Sequence, residues 1–320
     1  MAKKVAADIF EVFGWELVLP ADQNWDCVDK GHLVSKHPTD VVFRYEHPYR
    51  ACTVHLNVDL KSYARGSITG AAIQGALISL AKATACAGLS VDWQKLYALP
   101  DTTLDVAGLL FVYNHDGAYD KDFSMLLSGA DPEKVAINPR TTLHVMSPQQ
   151  IAYLATVAND INGLRGKKAI PFAGDQFWFY YPDLIGEHAR TVQPKSAAIE
   201  TLQGPVIVCR YIMPDTKAGS GDAALVYYNR QGDTTDEFKY LIDYLFRYQL
   251  LMHCEEITIR MPAASSAAPA IFKRALEAYA AEYYQSDELQ SRLSKIKIEV
   301  VTNVVTQFSQ VELGMERATS

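Results

Sequence analysis

The chain is short of the features that mark several large protein classes. It has five cysteines in 320 residues, at positions 27, 52, 86, 209 and 254, and no two form a CxxC pair. Their odd number and scatter exclude a disulfide framework, argue against a zinc cluster and suit a reducing compartment. Its 18 glycines and 14 prolines are too few for a collagen-like chain or a flexible array. No apolar run approaches the roughly 18 residues of a membrane span, and Met1-Ala2-Lys3-Lys4 leads into an amphipathic stretch instead of a signal h-region. The expectation is a soluble, cytoplasmic protein. The eight histidines form no HxxxH or HExxH pair, and there is no Gly-x-Ser-x-Gly elbow, dinucleotide fingerprint or internal repeat.

Basic residues are also scarce. Thirty Lys and Arg stand against 37 Asp and Glu, a net charge of −7, split as −4 over residues 1–190 and −3 over 191–320. Neither part is the basic body that grips nucleic acid by its phosphates alone. A nucleic-acid function must therefore rest on local chemistry.

What is present is a hydrophobic fraction of 49%, enough for about two domains with cores of their own. Val5, Ala6, Ile9, Phe10 and Phe13 recur at helical spacing and Gly14 follows as a stop. Glu16–Leu19, Asp40–Tyr45 and Cys52–Tyr63 read as strands, the last two joined by a turn at residues 46–50, while residues 21–39 have loop composition. Residues 68–87 read as a helix, 106–113 as a buried strand, and Ser147 caps a helix reaching about Leu164. Phe177–Tyr181 is an aromatic cluster that reads as core packing.

A second unit begins near residue 196, with strands at 205–213, 223–228, 256–261 and 296–301 and helices at 235–252 and 267–284. The alternation predicts an α/β class overall. The Gly/Ser loop at 214–222 lacks the Lys-Ser/Thr of a phosphate loop and reads as a turn. The tyrosine-rich helices of this unit suit core packing and, where exposed, an interface.

The chemistry gathers at Thr53-Val54-His55-Leu56-Asn57-Val58-Asp59-Leu60-Lys61. Val54, Leu56, Val58 and Leu60 alternate onto an inward face, so His55, Asn57, Asp59 and Lys61 share the other. Asp40 opens the adjoining strand and brings a second carboxylate beside Asp59. Two close carboxylates repel unless a cation lies between them, and hard oxygens suit Mg²⁺ or Mn²⁺. Such an ion activates water and neutralises a phosphodiester, and a neighbouring ammonium stabilises the transition state. An acidic residue two positions before Lys occurs also at Asp215/Lys217 and Glu237/Lys239. Only Asp59/Lys61 has strand alternation and an acidic neighbour.

With Pro38-Thr39-Asp40, then Asp59-Leu60-Lys61, in the order helix, three strands, helix, strand, residues 5–113 resemble the PD-(D/E)XK, or restriction-endonuclease-like, superfamily. Thr39 interrupts the family's Pro-Asp. The resemblance implies a mixed central sheet flanked by helices, expected over residues 1–195; the pattern after it reads as an α/β (α+β) partner-binding or recognition domain at 196–320. It further implies metal bound by Asp40, Asp59 and the Leu60 carbonyl, Lys61 as the catalytic lysine, and supporting roles for Glu11 on the first helix and Gln74 on the helix after the third strand. The function implied is a Mg²⁺- or Mn²⁺-dependent nuclease acting on DNA, an effector in bacterial anti-phage defence or restriction, acting as a homo-oligomer or with a helicase- or ATPase-type partner. The alternative is a non-catalytic subunit that keeps the nuclease-like sheet for assembly or nucleic-acid binding.

Overall fold

A computed structural model of the protein describes residues 1–50, 52–100, 102–135, 141–172, 174–182, 194–213, 221–283 and 287–308. The predicted loop at 214–222, with Asp215 and Lys217, therefore falls largely outside the described residues, as does Tyr284. The chain divides into two compact units, residues 1–155 with 305–320, and residues 156–304. The boundary expected at residue 195 lies inside the second.

The first unit is built on α1 (Ala2–Val12), β1 (Glu16–Val18), β2 (Gln23–Asp26), β3 (Lys36–Thr39), β4 (Val41–Glu46), β5 (Thr53–Tyr63), α2 (Gly70–Ala87), α3 (Val91–Tyr97), β6 (Leu104–Asn114), α4 (Ser124–Ser128), α5 (Pro132–Val135) and β7 (Thr142–Met146). Its main sheet has the order β1-β4-β5-β6-β7. β1, β4 and β5 pair antiparallel, whereas β5, β6 and β7 run parallel, the mixed sheet that the sequence predicts.

Alternation along β5 fixes what each face holds. Phe43 lies opposite Leu56, and the Phe10 ring of α1 packs against Phe43, Phe111 and Trp15 at centroid separations of 5.0, 5.9 and 4.3 Å. This places Val54, Leu56 and Val58, all buried, under α1. The other face is not solvated. His55 and Asn57 are buried there as well, and α2, α3 and the β2–β3 hairpin cover them. His55 sits edge-on to Trp93 with rings 6.2 Å apart.

Gly108 on β6 lets α2 come close. A Cβ at this position would lie 2.6 Å from both Thr84 Oγ of α2 and a Leu143 methyl. α2 is long and apolar enough by composition to cross a membrane, which the sequence reading did not anticipate, but half of it is buried inside the protein core. It is a core helix of this unit.

The hairpin β2–β3 lies within residues 21–39, whose composition predicts a loop. Its strands are polar, and only Trp25, His37 and Thr39 among residues 21–39 are buried, too few to print a periodic pattern on the sequence.

The helix α6 (Pro148–Gly166), N-capped by the Ser147 hydroxyl accepting from Gln150 N at 3.1 Å, runs across the boundary at residue 155. The second unit adds β8 (Phe177–Phe179), α7 (Ile199–Gln203), β9 (Val206–Ile212), β10 (Asp222–Tyr228), α8 (Thr235–Arg247), α9 (Leu250–His253), β11 (Glu256–Met261), α10 (Ala268–Tyr283), α11 (Asp287–Leu293) and β12 (Ile296–Val300). Its sheet has the order β12-β11-β10-β9-β8, parallel from β10 to β12 and antiparallel elsewhere. Phe177, Trp178 and Phe179 are buried, as core aromatics should be. The helix expected over 235–252 is broken at Gln249, whose left-handed φ of 59° ends one helix and starts the next. Within this unit the Arg260 guanidinium forks onto both carboxylate oxygens of Asp160, which also accepts from Tyr227 OH at 2.8 Å.

Candidate active site

The register of the sheet creates the site. β4 pairs with β5 only as far as Val41↔Val58, whereas β5 continues alongside β6 to Tyr63↔Asn114. Beyond Val58 the β4 edge of β5 is left without a ladder partner. Asp40, in the bend joining β3 to β4, fills the gap: its Oδ2 accepts a 2.7 Å hydrogen bond from the Leu60 N–H. The N–H and C=O of a strand residue point to the same edge, so the Leu60 carbonyl faces the side on which Asp40 lies.

Asp59 and Lys61 project from the next positions onto one face, and their side chains meet as an ion pair with Nζ 2.6 Å from Oδ1. Asp40, Asp59 and Lys61 line one small pocket with Pro38, Asn57 and Ser79. Burial pushes the Asp59 carboxyl above the usual carboxylate range. Lys61 opposes that rise, and the neighbouring Asp40 carboxylate adds to it. Burial works against the charged form of Lys61, yet its hydrogen bond to Asp59 and the charges of Asp59 and Asp40 outweigh it and hold the ammonium above its ordinary value. Lys61 is therefore a firmly protonated cation, suited to donating hydrogen bonds to an anion and unsuited to taking a proton.

The donor set of Asp40, Asp59 and the Leu60 carbonyl is all hard oxygen, which fits Mg²⁺ or Mn²⁺ and not a softer ion. These residues, selected from the sequence, converge. Two others do not. Glu11 is exposed on α1, and Gln74 turns its amide oxygen to Asp131 N at 3.3 Å; neither lines the pocket. α2 instead presents Ser79, Leu80 and Ala83, because the helix meets the polar face of β5 a turn beyond Gln74.

Sequence reading also passed over the residues that hold Asp40 in place. Trp25 Nε1 donates to Thr39 Oγ at 2.9 Å, and Thr39 Oγ donates to Asn57 Oδ1 at 2.7 Å. All three side chains are buried. This chain of two hydrogen bonds fastens the residue before Asp40 to the strand that carries Asp59. The Thr39 that interrupts the family's Pro-Asp is thus an anchor. The signal in the sequence was Asn57 itself, a polar residue on the Asp59 face two positions upstream.

The same face holds a second group of polar side chains. Cys27, His32, His37 and Cys86 bring one ligand atom each within 4.8 Å of the others, although sequence spacing argued against a metal cluster. The four come from separate segments that only the hairpin and α2 bring together, so their proximity leaves no motif in the sequence.

No curated protein matches the chain significantly. Residues 1–150 match a family model described as the GAPS4 protein PD-(D/E)XK nuclease domain, and the match ends close to the boundary of the first unit. A mixed sheet with two acidic side chains and a lysine gathered where β5 outruns β4 stands within those matched residues, so the N-terminal part of the chain is similar to a PD-(D/E)XK nuclease domain.

Proposed function

We propose that the protein is a divalent-metal-dependent nuclease that hydrolyses DNA phosphodiesters as an effector of a bacterial defence or restriction system. The convergence of Asp40, Asp59 and Lys61 in one pocket of a PD-(D/E)XK domain is the observation that supports this most. Asp40, Asp59 and the Leu60 carbonyl would hold Mg²⁺ or Mn²⁺, which when bound supplies an activated water and neutralises phosphate charge. The protein's own residues do the rest. Asp59 fixes the Lys61 ammonium, and that ammonium donates hydrogen bonds to the scissile phosphate as its charge grows. Asp40 cannot swing away from the pocket while it accepts from Leu60 N. Thr39 and Asn57 keep the bend bearing Asp40 in register with β5.

The net charge of −7 supports dependence on help for substrate capture, since phosphate contacts supply most non-specific affinity. Self-association, or a motor-type partner engaged through the second unit, would gather the DNA. Exposed Tyr240 and Tyr283 on α8 and α10 give that unit aromatic surface.

The test is cleavage of plasmid and single-stranded DNA by the full chain with Mg²⁺, Mn²⁺ or EDTA. Metal-supported cleavage that Asp59→Asn abolishes is the expected result. DNA binding with no cleavage under any metal would assign the chain to the non-catalytic class of subunit.

A further inference from the structure

A second cluster of potential metal ligands, of a different chemical kind, lies in the first unit. Its four side chains come from the end of β2 (Cys27), the 3-10 turn at Lys30–His32 (His32), β3 (His37) and the last turn of α2 (Cys86). The sulfurs of Cys27 and Cys86 are 3.8 Å apart, and both thiols are free. His32 Nδ1 is 3.7 Å from Cys27 Sγ, 3.3 Å from Cys86 Sγ and 3.4 Å from His37 Nε2.

These separations can be compared with a tetrahedral zinc site. Zn–S bonds of about 2.3 Å and Zn–N bonds of about 2.05 Å at tetrahedral angles place two sulfurs about 3.8 Å apart, two nitrogens about 3.4 Å apart, and sulfur and nitrogen about 3.6 Å apart. The four distances above match within about 0.3 Å. A sulfur pair at 3.8 Å is also far outside the roughly 2.05 Å of a disulfide.

The surroundings supply a second shell and a need. Asp29 Oδ2 lies 3.6 Å from His32 Nε2, the ring nitrogen opposite the one facing the sulfurs, and its other oxygen accepts from Gly31 N at 2.8 Å. A carboxylate behind a ligating histidine fixes the ring and its tautomer. Lys82 Nζ donates to the His32 carbonyl at 3.1 Å. The loop itself has no core: from Asp26 to Lys36 no residue is buried, and Leu33 is 90% exposed. Apolar packing therefore contributes little to the stability of this loop.

We infer that Cys27, His32, His37 and Cys86 bind one structural Zn²⁺ that pins the β2–β3 hairpin to α2. Two thiolates and two imidazoles with no place for a substrate make a closed site. The ion differs from the one proposed for the carboxylate pocket, and the inference stands whether or not that pocket cuts DNA. Its consequence for the domain is positional, because the pinned hairpin ends at Thr39 and Asp40.

Metal analysis of the purified full chain, after dialysis in Mg²⁺-containing, zinc-free buffer, should find close to one zinc per chain. Cys86→Ser and Cys27→Ser should each lose it, and Cys52→Ser, outside the cluster, should keep it. Should the cluster variants fail to fold, exchange of the wild-type metal for Co²⁺ gives a second readout. A tetrahedral cobalt spectrum with thiolate-to-cobalt charge transfer is expected, and it should vanish when zinc is added back. Zinc-free protein that takes up neither Zn²⁺ nor Co²⁺ would overturn the inference. So would zinc retained by both cysteine variants, or a Cys27–Cys86 disulfide in the metal-free purified chain.

Discussion

Replacing Thr39 with valine tests how Asp40 is held. The side chains have nearly the same shape, so the change deletes the hydroxyl and little else. Thr39 Oγ accepts from Trp25 and donates to Asn57, and all three residues are at most 3% exposed. In the variant a buried indole N–H and a buried amide oxygen both lose their partner. Each such orphan costs about 1–3 kcal/mol, so the pair should cost about 2–6 kcal/mol. At roughly 2–4 °C per kcal/mol for a unit of this size, the melting temperature should fall by about 4–24 °C. Urea unfolding of the full chain, with its slope compared to wild type, separates lost stability from a changed denatured state. Adding Asn57→Leu should relieve one orphan, leaving the double variant more stable than the sum of the single losses by about 1 kcal/mol. A loss under about 0.5 kcal/mol for Thr39→Val, or strict additivity in the double variant, would refute the idea that this chain of hydrogen bonds anchors the bend.

Three further outcomes are expected. Gly108→Ala places a methyl 2.6 Å from Thr84 Oγ and Leu143, so it should destabilise the first unit by about 1–3 kcal/mol, and an unchanged melting curve would count against the close approach of α2. Asp59→Asn and Lys61→Met should each remove DNA cleavage while leaving the circular dichroism spectrum and the melting temperature near wild type; cleavage retained by either variant takes that side chain out of the mechanism. Arg260→Met strips the guanidinium from Asp160, both side chains being 12% exposed, and should destabilise the second unit by about 3–5 kcal/mol, which hydrogen exchange localised to β10 and β11 would detect.

Much of the fold was legible because burial leaves a period. β5 alternates over Val54, Leu56 and Val58, and α1 repeats Val5, Ile9 and Phe10 at helical spacing, so both elements stood out. The paired carboxylates and the lysine were legible for the same reason: once the inward face of β5 is known, Asp59 and Lys61 must share the other. The hairpin β2–β3 was not legible. It buries Trp25, His37 and Thr39 through hydrogen bonds and ring contacts, and a polar strand held that way carries no apolar rhythm. Glu11 and Gln74 were assigned by resemblance. Where α2 crosses β5 depends on contacts such as Gly108 against Thr84, which no sequence period encodes. The cysteine–histidine group was missed because its members are brought together by topology.

The return of the chain to its first unit carries a consequence for any attempt to separate the two. Residues after 304 come back: Gln307 Nε2 donates to the Asp116 carbonyl at 3.1 Å, and the Phe308 ring stands edge-on to Tyr113 at 5.4 Å. The second unit, roughly 150 residues, is thus an insertion between two parts of the first. When it unfolds, those residues become a long coil whose ends must still be kept together, at a cost that grows as the logarithm of loop length. Melting of the inserted unit therefore loosens the grip of residues 307 and 308 on β6 and the turn that follows it. A fragment stopped at residue 155 would keep Asp40, Asp59 and Lys61 but would cut α6 and, without Phe308, bare Tyr113, so its stability should fall even though the pocket residues are all present.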